Sequence, residues 1–288
     1  MDLVPAAGLG LFTTASPREV MSGGLFRLHE GTVEVITRDL AFPHNIEPFA
    51  GGYLVTDPDR PVILVVSDGG EVVRTIETML WLDAQQDSLS GTNWALPLDA
   101  AEVERFLGSR PPEGPIVLIC RTRTVADVEW MWWSIGAVEG PLLRSLWEMR
   151  SPGRKAHTGL LHDGIFYGAA SGSRTLVVRG AGLDLELPVG NIRYMEVAGG
   201  KLWMAGDDFV GVFDSLPPAA AERPRLLCQG IGRAQAVHEF EDRVYVTANG
   251  RLLVYDLAGI LQTSLGDPPP ASGQSWVHDR LRALGYLQ

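Results

Sequence analysis

The sequence predicts an all-β fold, a single β-propeller domain over residues 1–288, and three observations carry that prediction. Short β-branched runs alternate with polar turns, which is the pattern of antiparallel strands. The chain contains 33 Gly and 19 Pro, as expected of a protein with many tight turns. Four segments of the chain also share one internal repeat, and repeats of this length are typical of propeller blades.

The repeat is defined by a turn residue and by a valine in the third strand of each segment. The turn residues are Gly52, Gly164, Gly200 and Asp242, and the valine follows 12 or 13 residues later, at Val65, Val177, Val212 and Val254. Together with the strands outside these segments, the repeat predicts six blades, with five as the alternative.

The opening segment, residues 42–76, shows the blade most clearly. Its predicted strands are Tyr53–Val55, Val62–Val66 and Glu71–Ile76, and turns rich in Gly, Asp and Pro separate them. Alternation of β-branched runs with such turns predicts neighbouring strands that pair in antiparallel fashion.

The N-terminal region predicts three strands, Leu9–Ala15, Gly24–His29 and Thr32–Arg38, without an innermost strand before them. The C-terminal tail offers two interpretations. Gln274–Val277 supplies the missing strand and closes the ring, or Trp276–Leu287 forms an amphipathic helix.

Residues 80–152 form the irregular part of the chain, which we interpret as one expanded blade. Asp99–Leu107 predicts a short helix, with Asp99 as its N-cap and Glu102 three residues later. The strands expected here are listed in chain order as Ile116–Arg121, Asp127–Ile135 and Leu142–Met149. We expect this expanded blade to cover or border one mouth of the propeller channel, because specificity is usually placed on long loops of a rigid scaffold.

Charge and composition limit the partners. The net charge is −11 and the isoelectric point is near 5.0, so we expect no nucleic-acid partner. The sequence has no apolar run long enough to predict a membrane span, and no signal peptide is recognisable. The two cysteines, Cys120 and Cys228, give no disulfide framework, so a cytoplasmic location is expected. The oligomeric state stays open.

Polar residues recur at the start of the inner strands. His44, His157, Arg193 and Gln235 align there, with one gap in the opening blade because His44 lies eight residues before its turn glycine and the others lie seven before theirs. Inner strands of a propeller line its channel, so these side chains would converge. They would supply proton transfer and anion binding, or they would bond to carbonyl groups and water in a wet channel.

Two further features are each open to two interpretations. Glu47, Glu196 and His238 share a later register and form either a second ring or a solvated face. Trp132, which lies with three other tryptophans in the irregular blade, binds an aromatic substrate or fills the core between blades. No cofactor is predicted; a divalent metal is not favoured, because a catalytic site usually takes three protein ligands and two aligned histidines supply two.

The opening blade resembles the repeat of NHL-like propellers and of bacterial arylsulfotransferase-type propellers. The matching residues are, in chain order, His44, Gly51, Gly52, Asp57, Asp68 and Gly69. Similar propellers, among them virginiamycin-type lyases and peptide-amidating lyases, use axial histidines in catalysis. By this resemblance, His44 and His157 would carry the acid/base role.

Two functions follow as hypotheses. The first is a small-molecule enzyme of the lyase, isomerase or hydrolase type that acts on an anionic or aromatic substrate in the channel. In it, His44 and His157 move protons, while Arg193, Gln235 and Trp132 bind the substrate. The second is a non-catalytic propeller that serves as a scaffold for protein interactions.

Overall fold

The computed structural model describes most of the chain in two compact units, residues 1–164 and residues 165–288. The described residues are 3–4, 9–14, 22–29, 32–40, 45–57, 62–78, 89–125, 128–152, 156–170, 174–249 and 251–265. Each unit is described below by itself.

The first unit contains thirteen strands and one helix among its described residues. In chain order they are β1 (Leu3–Val4), β2 (Leu9–Thr14), β3 (Ser22–His29), β4 (Thr32–Leu40), β5 (Asn45–Phe49), β6 (Gly52–Asp57), β7 (Val62–Ser67), β8 (Val72–Glu77), β9 (Leu89–Leu98), α1 (Ala100–Leu107), β10 (Ile116–Val125), β11 (Val128–Glu139), β12 (Leu142–Pro152) and β13 (Ala156–His162).

The first four strands form one antiparallel sheet in the order β1-β2-β3-β4. The three strands predicted for this region are confirmed as β2, β3 and β4. The expectation that no strand precedes them is wrong, because the short β1 pairs with β2 through Leu3 and Val4. Both interpretations of the C-terminal tail, the strand Gln274–Val277 and the helix Trp276–Leu287, lie outside the described residues.

An eight-stranded sheet follows, and it consists of two antiparallel groups of four strands, β5-β6-β7-β8 and β12-β11-β10-β9. The groups meet at one parallel pair, Leu142 of β12 with Glu77 of β8. At the same place the Glu77 N–H donates to the carbonyl oxygen of Pro141 at 2.8 Å, and the Arg74 guanidinium donates to that of Gly140. The predicted expanded blade is therefore the second group with α1 inserted between its strands β9 and β10.

Strands β6 and β7 carry buried apolar residues on both faces, because each face packs on a different neighbour. One face contributes to a buried cluster with β9 to β12, and its members are Phe49, Leu54, Ile63, Val65, Ile76, Ala95, Val117, Ile119, Val138 and Leu143. The other face packs on β3, in a cluster of Leu25, Ile46, Tyr53, Val55, Leu64 and Val66. This alternation follows from the two-residue period of a strand.

Helix α1 confirms the predicted helix and its predicted N-cap. The Asp99 carboxylate accepts hydrogen bonds from the N–H groups of Ala101 at 2.7 Å and Glu102 at 3.3 Å. The helix ends at Gly108, whose φ is +68°. Among the described residues, no helix has the length and apolar character needed to cross a bilayer.

The second unit contains nine strands among its described residues: β14 (Ile165–Ala170), β15 (Thr175–Gly180), β16 (Leu183–Pro188), β17 (Ile192–Ala198), β18 (Lys201–Phe213), β19 (Arg225–Phe240), β20 (Arg243–Ala248), β21 (Arg251–Asp256) and β22 (Leu261–Leu265). Strands β14, β15 and β16 pair in order as antiparallel neighbours. Strands β17 to β22 form one six-stranded antiparallel sheet in chain order.

Two strands of this sheet change partners along their length. β18 pairs with β17 up to Gly206 and with β19 from Asp207 onward, and Asp208 has a φ of +75° at this change. β19 pairs with β18 up to Arg233 and with β20 from Ala234. Each of these strands therefore supplies two segments, and along the chain the strand segments fall into six groups of four, the predicted number of blades.

The repeat that was found in the sequence corresponds to equivalent places in these groups. Gly164, Gly200 and Asp242 lie between the first and second strands of their groups with positive φ values of 68°, 73° and 59°. In the opening blade, Gly51 has the positive φ, and a side chain at Gly52 would meet the Val66 carbonyl oxygen at 2.1 Å. The four repeat valines are all buried.

Candidate functional site

The repeated polar position of the opening blade is occupied by Asn45. Asn45 lies seven residues before its turn glycine, as His157 does, whereas His44 lies eight before it and falls outside the described residues. Asn45 is fully buried, and its side-chain oxygen accepts a hydrogen bond from the Ala95 N–H of β9 at 3.1 Å. In this blade, therefore, the side chain at the repeated position joins β5 and β9, which are the first strands of two neighbouring four-stranded groups. His157 is the second residue of β13 and is half-buried.

Arg193 and Gln235 occupy the same structural position in the second unit. The register of β17 against β18 shifts at Arg193, and that of β19 against β20 shifts at Gln235. Each is therefore the extra residue of a β-bulge, a feature that re-aims a side chain. Gln235 is exposed, whereas the Arg193 side chain is only 15% exposed.

The Arg193 guanidinium forms an ion pair with Asp207 of β18. Asn191 donates a second hydrogen bond to this carboxylate at 2.6 Å, and Arg233 lies 3.7 Å from it. The hydrogen bond from Arg193 holds the pKa of Asp207 below its usual value. Asp207 thus stays ionised at neutral pH. Its negative charge balances much of the positive charge of Arg193, the residue that we predicted from the sequence to bind an anion.

Trp132 lies inside the first unit with 5% of its surface exposed. Its indole N–H donates to Glu148 Oε2 at 3.3 Å, and the Arg150 guanidinium carbon lies 4.5 Å from the ring centroid. Trp133 is fully buried and donates to the Thr158 carbonyl oxygen of β13 at 3.2 Å. Trp133 therefore packs between two strand groups, whereas these contacts of Trp132 stay within its own group, and its predicted role in substrate binding stays a prediction.

Glu196 of β17 and His238 of β19 form a pair in the second unit. His238 Nδ1 lies 2.8 Å from Glu196 Oε1, and the Tyr194 hydroxyl donates to the other carboxylate oxygen at 3.4 Å. The Glu196 side chain is 18% exposed and that of His238 is 61% exposed. Burial raises the pKa of Glu196, and the hydrogen bond with His238 opposes this. Two members of the later register therefore meet, while the third, Glu47, accepts a hydrogen bond from Asn45 at 3.0 Å.

Phe240 follows His238 on the same face of β19 and is 54% exposed. The two rings lie 6.4 Å apart between centroids, with 14° between their planes. Glu241 and Asp242 follow as a two-residue turn in which both φ values are positive, 48° and 59°, as tight hairpins require. We call this exposed area the His238–Phe240 surface; it comprises His238, Phe240, Glu196, Glu241 and Asp242.

A second carboxylate nearby, that of Glu239, is engaged within the unit. It accepts hydrogen bonds from the Lys201 ammonium group at 3.0 Å and from the Trp203 indole N–H at 2.6 Å. Its side chain is 14% exposed. Because Glu239 precedes Phe240 directly, its side chain points to the opposite face of the strand. Glu239 therefore supports the strand from behind and adds little to the His238–Phe240 surface.

Other reactive groups of the described residues are held in unreactive settings. Burial raises the pKa of both cysteine thiols, Cys120 most strongly. No three His, Cys, Asp or Glu side chains within the described ranges come together as a metal site.

Sequence reasoning overlooked Asn45 and Phe240. Asn45 is identified if the seven-residue spacing is kept without a gap. Phe240 could have been found from its place in the sequence, because it directly precedes the acidic turn of Glu241 and Asp242. The bond between Glu196 and His238 had no signal beyond a shared register, because it depends on which strands become neighbours.

No protein-family model matches this chain, and no curated protein matches it. Among solved structures, the chain is similar to the WD40 β-propeller domain of Doa1, with a TM-score of 0.56 and 8% identity over 86% of this chain and 76% of that one. It is also similar to the AfRom2 CNH domain, with a TM-score of 0.53 and 9% identity over 95% and 86% of the two chains. The Neurospora crassa Pan2 WD40 domain matches with a TM-score of 0.51 and 11% identity over 92% and 90%.

These similarities define the class of fold, and the chain is a β-propeller. The prediction of the fold from the repeat is thereby confirmed. The neighbours are propellers of the WD40 and CNH types, so they do not support the narrower resemblance to NHL-like or arylsulfotransferase-type repeats. At 8–11% identity they carry no information on the activity of this chain.

Proposed function

We propose that this chain is a non-catalytic propeller that binds another protein, and that it does so through the His238–Phe240 surface. The observation that carries the proposal is the exposed ring pair. Phe240 leaves 54% of its surface in water next to a histidine that is 61% exposed. Rigid aromatic side chains with exposed faces are the usual anchors of protein interfaces, because they bury a large area and lose little conformational entropy.

The His238–Phe240 surface also has the features of a protein–protein interface. Glu196 fixes the His238 ring through the 2.8 Å hydrogen bond, so the ring pair is held in place before a partner arrives. The turn of Glu241 and Asp242 gives the ring pair a polar rim, and both residues are exposed. The neighbouring positions on β20 that face the rings are Tyr245, opposite His238, and Arg243, opposite Phe240.

Phe240→Ala tests this proposal. The purified chain is immobilised and exposed to lysate, and the retained proteins are quantified by mass spectrometry. Phe240→Ala should lower the retained partner at least 10-fold, whereas Leu261→Ala should leave it unchanged. Leu261 is the matched control, because it is an apolar residue of the same unit with 50% exposure on another strand, β22.

Both variants should melt close to the parent chain, since each removes a side chain that is about half exposed. Equal retention by the parent chain and by Phe240→Ala would contradict the proposal, as would a parent chain that retains nothing above the bare matrix.

The catalytic hypothesis stays a separate proposal with its own test. It assigns proton transfer to His44 and His157 and substrate binding to Arg193, Gln235 and Trp132. A panel of aromatic and aliphatic carboxylates is screened for an increase in melting temperature. A ligand that stabilises the parent chain should lose its effect in Arg193→Gln if that guanidinium holds the anion. A panel without a stabilising compound, or one whose effect survives Arg193→Gln, counts against the assignment.

A further inference from the structure

The hydrogen bond from His238 to Glu196 fixes which ring nitrogen can meet a partner. An ionised carboxylate only accepts hydrogen bonds, so in the neutral ring the proton lies on Nδ1 and points at Glu196. The other nitrogen, Nε2, then carries a lone pair and acts as an acceptor. The His238 side chain is 61% exposed, so the surface offers an oriented acceptor for an N–H group of a partner.

The two rings add an attractive surface for positive charge. His238 and Phe240 are two residues apart on β19, so they share one face of the strand, and their planes differ by 14°. The face of the Phe240 ring carries negative potential and attracts a cation placed above it.

The charged groups around the two rings also favour a positively charged partner. Glu196, Glu241 and Asp242 contribute three carboxylates, and Arg243, opposite Phe240 on β20, contributes one positive charge. Lys201 is engaged by Glu239 and lies 5.8 Å from the Trp203 ring centroid. The surface therefore keeps an excess of negative charge that the cations of its own strands do not balance. An acidic protein segment, a nucleic acid or an anionic membrane would be repelled.

We propose that the His238–Phe240 surface binds an arginine or lysine side chain from an extended basic segment of its protein partner. This inference rests on the proposed function and names the partner's chemistry. The aliphatic stem of the basic side chain packs on the Phe240 ring. Its cationic head donates to His238 Nε2 and lies close to the carboxylates of Glu241 and Asp242.

The test uses defined peptides with the full chain. The first probe is a rhodamine-labelled nonapeptide, Gly-Arg-Ala repeated three times. In the second probe each arginine is replaced by citrulline, which keeps the shape and removes the charge. Fluorescence anisotropy at low salt should show the arginine peptide binding at least 10-fold more tightly than the citrulline peptide. Phe240→Ala should weaken binding of the arginine peptide at least 5-fold.

A charge-matched pair of variants separates this site from the general attraction of an acidic protein. Glu241→Gln and Glu186→Gln each remove one negative charge from the second unit, and Glu186 lies on β16 outside this surface. Glu241→Gln should weaken binding at least 3-fold, while Glu186→Gln should leave it within experimental error. Equal losses in the two variants would overturn the inference, because they would mean that net charge alone attracts the peptide.

The outcomes also distinguish the inference from the proposed function. If lysate capture depends on Phe240 while the arginine and citrulline peptides bind alike, the partner's chemistry is wrong and the interface stands. If neither capture nor peptide binding depends on Phe240, both proposals are overturned.

Discussion

The role of Arg193 depends on one neighbouring residue, Asp207. The sequence places an arginine at the start of an inner strand, where it would serve as a free positive charge. Asp207 pairs with it from β18, and that partner is found only when the hairpin register is known. The pair instead makes a contribution to stability that depends on pH.

Asp207→Asn should show this contribution directly. The carboxylate's pKa is lowered in the folded state, so its contribution is complete above the ordinary Asp pKa of about 4 and is lost as pH falls through the folded value. The Asp207 side chain is 39% exposed, so we expect a loss of at most about 1 kcal/mol at pH 7.

Urea unfolding of the parent chain and of Asp207→Asn, at pH 7 and at steps below pH 4, measures the difference. The gap between the two free energies of unfolding should shrink toward acid pH. A double-mutant cycle with Arg193→Gln is the control, and a gap that is constant with pH would show that ionisation of Asp207 contributes nothing.

Asn45→Ala should be more costly than loss of that surface pair. Its side chain satisfies the buried Ala95 N–H of β9, and removal of one partner leaves that donor in an apolar core. We expect a loss of about 1–3 kcal/mol in the free energy of unfolding. Glu47→Gln is the control, because it keeps an acceptor for the Asn45 amide and should change stability by less than about 0.5 kcal/mol. Equal losses in the two variants would assign the effect to the Asn45–Glu47 contact instead.

At this scale, the sequence could predict residue types and spacing but not partners. The period aligned Arg193 with Gln235, and the strand register supports their equivalence. It could not distinguish His44 from Asn45, because a one-residue slip in a loop is invisible without strand pairing. Glu196 and His238 are 42 residues apart in the chain, so no local pattern contains their pair.

Helix α1 shows what local sequence can determine at the scale of an element. Its start and its N-cap were predictable, because Asp99 acts on N–H groups only two and three residues away. Glu102, three residues after the N-cap, contacts residues on two sides. Its carboxylate pairs with Arg105 and accepts from the Gly164 N–H at 3.0 Å, so it ties the helix to the turn after β13.

Gly164→Ala tests that connection. Gly164 has a φ of +68°, and an added Cβ would lie 2.9 Å from Arg105 Cβ. Gly182 is the matched control, since its φ is +79° and nothing lies within 4 Å of an added Cβ. We expect Gly182→Ala to cost about 1 kcal/mol from backbone strain alone, and Gly164→Ala about 2 kcal/mol or more.

Chemical unfolding followed by far-ultraviolet circular dichroism compares the two alanine variants. Equal losses would mean that the helix moves aside without cost.

Strand β9, like β1, was not predicted from the sequence. Its residues Leu89–Leu98 include Gly91, Asn93 and Pro97, which read as turn residues, and they lack strict alternation. The strand forms because β10 supplies an apolar partner, with Ile119 opposite Ala95 and Val117 opposite Pro97. Tertiary pairing therefore overrides a poor local preference here.

At the scale of the whole molecule, charge is the property most fully available from sequence. Acidic residues outnumber basic ones in both units. Residues 1–164 contain 22 Asp or Glu and 13 Lys or Arg, and residues 165–288 contain 13 and 11. We therefore expect no binding to a 20-base-pair duplex at 150 mM NaCl up to about 10 µM protein, a range in which non-specific DNA-binding proteins begin to bind. Anisotropy of a labelled duplex is the measurement, and binding that weakens steeply with added salt would contradict the expectation.

The junction between β8 and β12 bears on how the eight-stranded sheet responds to a pulling force. It is a single rung, the Leu142–Glu77 pair, with the bonds of Glu77 to Pro141 and of Arg74 to Gly140 beside it, while each group on either side is a ladder of many rungs. Under tension between the start of β5 and the end of β12, we expect these few backbone bonds to break before the ladders on either side, while the shared apolar cluster and the Asn45–Ala95 bond still hold the two groups together.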